Sequence, residues 1–168
     1  MIGAFVVRAA MPLLAVSAAM PVSAASAQSA SGLVGTWSLV AITVEQDGKM
    51  AEPYGPAPKG IMMLESNGRF SITIVRVGLP KFASNNRTKG TAEEYQAVVQ
   101  GSLAYFGSYT VRDADRTIDV HIDASTYPNF DGSNQKRQFT LAGDELTLTN
   151  AAPSGGGGAA KQVWKRIR

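Results

Sequence analysis

No cysteine occurs in the 168 residues of this chain. That absence excludes disulfides, thiolate metal sites and a lipid-modified cysteine at a signal junction. Histidine is nearly absent too: with a single imidazole, at His121, any general base titrating near neutral pH must be that residue, and no zinc-type ligand set can be assembled. Charge is sparse, at 17% of residues with a net +3. The basic residues are scattered apart from Lys161, Lys165, Arg166 and Arg168, so the basic stripe with interleaved aromatics that nucleic acid requires is missing. No apolar run approaches the roughly 20 residues of a membrane-spanning helix. There is no Gly-x-Ser-x-Gly and no Cys/His pair, and no strand pattern nominates two of the 13 acidic residues as a glycosidase couple, so hydrolysis is unsupported. The glycines at 155–158 are followed by neither Lys-Ser/Thr nor a helix, which makes them a flexible linker rather than a phosphate loop. No cofactor is expected.

What is present begins with an export pattern. Arg8 is the only charge before Glu45, residues 9–20 are an apolar run, and Ala25-Ser26-Ala27 is a small-x-small cleavage site. Residues 1–27 are therefore expected to be a cleaved signal peptide, with the protein periplasmic or secreted. Ile2 to Val7 is also apolar, which leaves Met11 as an alternative start. The remaining 28–168 suffice for one domain with one core.

Along that domain, period-2 runs predict eight strands at 36–45, 60–65, 69–77, 104–112, 117–124, 135–141, 145–149 and 162–167. Ser66-Asn67-Gly68, Asp113-Ala114-Asp115 and Ala142-Gly143-Asp144 supply short turns, so neighbouring strands are expected to pair antiparallel. Thr91-Ala92-Glu93-Glu94 is a capping box that opens one helix, running to about Ser102, between the third and fourth strands. The preceding loop, 78–90, is long enough to suggest a lid together with that helix. The expected fold is all-β: an eight-stranded antiparallel up-and-down barrel, which closure favours because it removes both sheet edges. A two-sheet sandwich is the alternative.

Gly35-Thr36-Trp37 at the first strand resembles the opening signature of barrels that seal one end with an indole. The run Leu33-Val34-Gly35-Thr36-Trp37-Ser38-Leu39-Val40, then Tyr54-Gly55-Pro56-Ala57-Pro58-Lys59-Gly60, Asn67-Gly68-Arg69-Phe70-Ser71, Phe82-Ala83-Ser84, Gly90-Thr91-Ala92-Glu93-Glu94 and Ala104-Tyr105-Phe106-Gly107-Ser108-Tyr109 continue the likeness. Tyr127-Pro128-Asn129-Phe130-Asp131-Gly132, Gln135, Arg137, Gly143-Asp144-Glu145-Leu146 and Val163-Trp164 complete it. In order and spacing these resemble the bacterial and fungal lipocalin-like family, a calycin-type barrel. The resemblance implies a binder of small molecules; related barrels that act as cyclases or isomerases give the alternative of an enzyme on a natural-product-like substrate. It also implies a structural plug in which Trp37 receives an arginine from the last strand, Arg166 first and Arg168 second.

Candidate ligand-binding residues follow from strand faces. Tyr105 and Tyr109 share one face with Gly107 between them, where two phenols could orient an apolar ligand. Arg76 and Arg137 each continue an apolar face, either snorkelling at the rim or meeting an anionic head. His121 alternates with Ile118, Val120 and Ile122 alongside Asp119 and Asp123; the simpler reading turns it to water, and the other makes it a weak catalytic or ligand-binding candidate inside the cup. The expected partner is thus a small hydrophobic or amphipathic molecule with a polar or anionic head.

Overall fold

The computed structural model describes residues 30–168, so the signal-peptide expectation at 1–27 lies outside the described residues. A 3-10 turn, Ala30–Leu33, leads into β1 (Gly35–Gln46), β2 (Lys49–Ala51), β3 (Lys59–Leu64) and β4 (Arg69–Val75). Then come α1 (Ala92–Gly101), β5 (Ser102–Arg112), β6 (Thr117–Ser125), a second 3-10 turn (Pro128–Phe130), β7 (Asn134–Ala142), β8 (Glu145–Asn150) and β9 (Ala160–Arg166). The pairing order is β2-β1-β3-β4-β5-β6-β7-β8-β9, all antiparallel, and β9 returns to β1. That last pairing, from Trp37 opposite Arg166 to Val44 opposite Ala160, closes the ribbon. A closed barrel of eight strands replaces the sandwich alternative.

β2 is the element that periodicity does not reveal. Three residues are too few to show an alternation, and the strand exists because Asp47 and Gly48, both at positive φ, turn β1 back on itself. Counting β2 corrects the expected helix position: α1 follows β4 and precedes β5, not the third and fourth strands of the chain. The capping box is formed as expected, with Thr91 accepting from the Glu94 amide and the Glu94 carboxylate accepting from the Thr91 amide.

Inward residues of the strands make one core. Phe70, Ile72 and Ile74 of β4, Ile118, Val120 and Ile122 of β6, and Leu146 and Leu148 of β8 are all buried. Each such side chain contributes about 1.5–3 kcal/mol relative to exposure.

The two ends of the barrel differ in their connections. At one end the links are tight: residues 65–68, 113–116 and 143–144. Here Trp37 is fully buried, its Nε1 donates to the Leu33 carbonyl at 3.0 Å, and the Arg166 guanidinium lies 4.1 Å from the indole centroid. Arg166 also donates to the carbonyls of Val34, at 2.8 Å, and Gly32. At the other end, apart from the Asp47–Gly48 reversal that forms β2, the connections are long: 52–58, the α1 crossing, 126–133 and 151–159. Short turns cannot reach across a barrel mouth and long ones can, so one end is sealed and the other is framed by loops.

Candidate functional site

A cavity of about 510 Å³ occupies the loop-framed end. Its walls come from the upper halves of the strands, through Ile42 and Val44 of β1, Ile74 of β4, Leu103 and Tyr105 of β5, and Ala160 and Gln162 of β9. The rim is built by Pro53 and Tyr54 of the β2–β3 loop, Val98 and Val99 of α1, Tyr127 and Phe130 of the β6–β7 connection, and residues 153–156. That volume falls within the range of small-molecule pockets, roughly 300–1,000 Å³.

The rim is positioned by specific local contacts. The long connection before α1 is tied down where Gly90 donates from its amide to the Tyr95 hydroxyl at 2.8 Å, and Ala83 to the Glu94 carboxylate at 2.8 Å. Arg76 clamps from the β4 end, donating to the Pro53 carbonyl at 2.6 Å while its own amide donates to the Gly101 carbonyl at 2.7 Å. It holds the Tyr54 loop against the end of the helix and is not itself a lining residue. α1 buries only Gly101, and Val99 is 77% exposed at the mouth.

One wall is aromatic. Tyr105 stands edge-to-face with Phe70, centroids 5.9 Å apart, and with Phe130 at 6.1 Å; Phe130 meets Tyr127 at 5.1 Å. The Tyr105 hydroxyl has no hydrogen-bond partner among the described residues. Burial first, and the neighbouring Tyr105 phenol second, push the Tyr54 phenol above its ordinary value, with Ser154 and Arg76 offsetting part of the effect. Tyr54 is therefore neutral, a donor at the mouth.

Tyr109 does not share this cavity. Four residues along a strand is about 13 Å, and that step carries it from the open half to the sealed half, where its hydroxyl donates to the Glu65 carbonyl at 2.9 Å. Burial, then the Glu65 charge, raises its pKa. Gly107 between them leaves room for backbone, not for a ligand: a Cβ there would stand 1.9 Å from the His121 carbonyl, at a bulge where β5 and β6 approach closely.

Arg137 points into the barrel and is 4% exposed. It lies behind the lining, donating to Asn150 Oδ1 at 2.9 Å and to Gln135 Oε1, and forms no ion pair among the described residues. Asn150 and Gln162 are the buried polar residues that face the cavity. No lining side chain is charged.

His121 is on the outer wall, exposed, with Nδ1 2.9 Å from Asn134 Oδ1 and Asp123 3.9 Å from Nε2. The reading that placed it inside the cup is corrected, because Ile118, Val120 and Ile122 take the interior and strand alternation turns their neighbours to water. Among the described residues no group of His, Asp and Glu could hold a metal.

Sequence reasoning passed over Tyr54, Asn150 and Gln162. Tyr54 sits in a loop with no periodicity to report its direction. Asn150 and Gln162 each extend an inward face, a signal that was available because Leu146, Leu148 and Asn150 alternate on β8.

Comparison with known proteins agrees with this geometry. The lipocalin-like domain family matches over residues 34–167. A curated protein of Aspergillus oryzae (strain ATCC 42149 / RIB 40), the 4'-hydroxy-3'-methoxypropiophenone carrier protein ppsC, is 32% identical over 89 residues, covering 49% of this chain and 80% of that protein. A match running from the strand that carries the plugging indole to the strand that carries its arginine spans the whole closed barrel, and the chain belongs to the lipocalin-like domain family.

Proposed function

We propose that this protein is an exported carrier that binds one small, mostly apolar molecule with a polar or anionic head in the open half of its barrel. The observation that carries the reading is the cavity itself: about 510 Å³, walled by aliphatic and aromatic side chains, open at a loop-framed mouth and underlain by a few convergent polar groups. Affinity comes from burying ligand carbon at roughly 25 cal/mol per Å², with Tyr54 and Tyr105 orienting the ligand near the rim. Arg137, buried without an ion pair among the described residues, biases the interior toward electron-rich groups. Support for an aromatic ligand comes from the relative named a carrier of 4'-hydroxy-3'-methoxypropiophenone and from the Tyr105–Phe130–Tyr127 wall. Export rests on the signal-like pattern of residues 1–27.

The test is isothermal titration of the domain with 4'-hydroxy-3'-methoxypropiophenone and, separately, with a long-chain fatty acid. One-to-one saturable binding of either supports the carrier; no saturable heat with either opposes it.

A further inference from the structure

The hydrogen-bond polarity of the cavity floor is set by two groups that can only donate. Trp164 is fully buried beneath the cavity, and its indole Nε1–H donates to Gln162 Oε1 at 3.3 Å. An indole has no acceptor, so the Gln162 carboxamide must turn its oxygen down to Trp164 and its NH2 the other way. Gln162 is 7% exposed and lines the cavity, and Nε2 has no partner among the described residues. The neighbouring amide is fixed by the same logic. Arg137 is donor-only, so Asn150 turns Oδ1 to it, and that oxygen also accepts from the Ala152 amide at 3.0 Å, while Nδ2 donates to the Ala152 carbonyl at 3.2 Å. Asn150 Oδ1 thereby accepts two hydrogen bonds, and Gln162 Oε1 is turned to Trp164. What remains open toward the cavity is an N–H donor on Gln162, with the Arg137 charge held behind Asn150.

We propose that the ligand is of a class carrying a carbonyl or carboxylate oxygen on an apolar body, and that it enters oxygen first, this oxygen accepting from Gln162 Nε2 at the floor. The proposal rests on the carrier reading above and adds its polarity. Nε2 is open to the cavity, since no buried side-chain polar atom among the described residues lacks a partner. A ligand that fills the cavity without an acceptor would leave this donor buried and unpaired, which is costly, so one that brings an acceptor to Gln162 gains over one of the same shape that does not. A ligand whose only polar group is an ammonium is disfavoured twice, having nothing for Nε2 to donate to and meeting the Arg137 charge.

The experiment compares propiophenone with n-propylbenzene, the same skeleton without the oxygen, on the wild-type domain and on Gln162→Leu and Gln162→Glu. The first substitution removes the donor; the second keeps an acceptor for Trp164, so the floor is preserved even if the leucine variant folds poorly. Loss of one hydrogen bond corresponds to a fall of roughly three- to ten-fold in propiophenone affinity. Both variants are expected to show that fall while propylbenzene affinity changes less than about two-fold. Failure of both compounds to saturate the wild type would overturn the carrier reading and this proposal with it. Binding of both compounds with the same preference in wild type and variants would overturn the placement on Gln162 alone.

Discussion

Arg166 of β9 lies over the ring of Trp37 of β1, its Cζ 4.1 Å from the indole centroid, at the pairing where the last strand meets the first. The same guanidinium binds the carbonyls of Gly32 and Val34, and its Nε is 3.7 Å from Asp144. One side chain thus joins the barrel seam, the N-terminal turn and the β7–β8 turn. Arg166→Ala is expected to lower stability by about 2–4 kcal/mol, the sum of a partly desolvated cation–π contact and hydrogen bonds from a charged donor. Arg166→Lys recovers only part, because a lysine cannot span both carbonyls while stacking on the ring. Urea unfolding of the three proteins measures this; a loss below about 0.5 kcal/mol for the alanine variant contradicts the role.

Gly107→Ala is expected to cost more than about 3 kcal/mol, since its Cβ would stand 1.9 Å from a backbone carbonyl that the β5–β6 ladder holds in place. Thermal unfolding by circular dichroism reads this directly. A variant as stable as wild type would mean that the strands separate there at little cost.

His121→Ala is expected to leave both ligand affinity and stability within experimental scatter, about 0.5 kcal/mol, because the imidazole is on the outer wall bonded to Asn134. Titration of the variant with the wild-type ligand measures it. A ten-fold loss of affinity would place His121 in the site.

Tyr54 and Tyr109 give stability a dependence on alkaline pH. Both phenols are raised by burial above their ordinary value of 10.0, so above that pH the unfolded chain loses protons that the folded one retains. Stability then falls with rising pH, the fall starting near pH 10 and continuing up to the folded values. Replacing both tyrosines with phenylalanine should flatten that part of the curve, read as urea midpoints between pH 8 and about 11. An unchanged slope contradicts the burial of these groups.

Arg137→Met is expected to weaken an aryl carboxylate more than the matched ketone, because only the former carries a full charge for the buried guanidinium to favour. Titrations of benzoate-type and ketone-type ligands against both proteins give the two ratios. Equal losses for both would mean that Arg137 acts only by holding Asn150.

Much of the fold was written in local pattern. Alternation along β4 and β8 is strict because one face of each is core and the other is water, whereas β1 changes phase at a bulge between Leu39 and Ala41, and the turns at 65–68 and 113–116 carry residues that force tight reversal. β2 was not legible, since pairing and not periodicity makes it a strand. The site was legible only in its faces. Tyr105 and Tyr109 share a face, yet one reaches the cavity and the other the sealed half, because depth along a strand depends on register, which a single sequence does not report. Arg137 was legible as a cation continuing an apolar face, with rim and interior both open; its burial against Asn150 depends on a partner 13 residues away. Tyr54 is set by a loop path that no spacing rule describes.

The two tryptophans allow the central claim to be read residue by residue. Trp164 lies beneath the cavity floor, bonded to Gln162, whereas Trp37 is in the sealed end, bonded to Leu33. In a proton–nitrogen correlation spectrum, with the two indole signals assigned by Trp→Phe substitution at each position, titration with 4'-hydroxy-3'-methoxypropiophenone should shift the Trp164 signal saturably and leave that of Trp37 nearly unmoved. A saturating ligand that moves neither signal, or moves Trp37 alone, would contradict a binding site in the open half of the barrel.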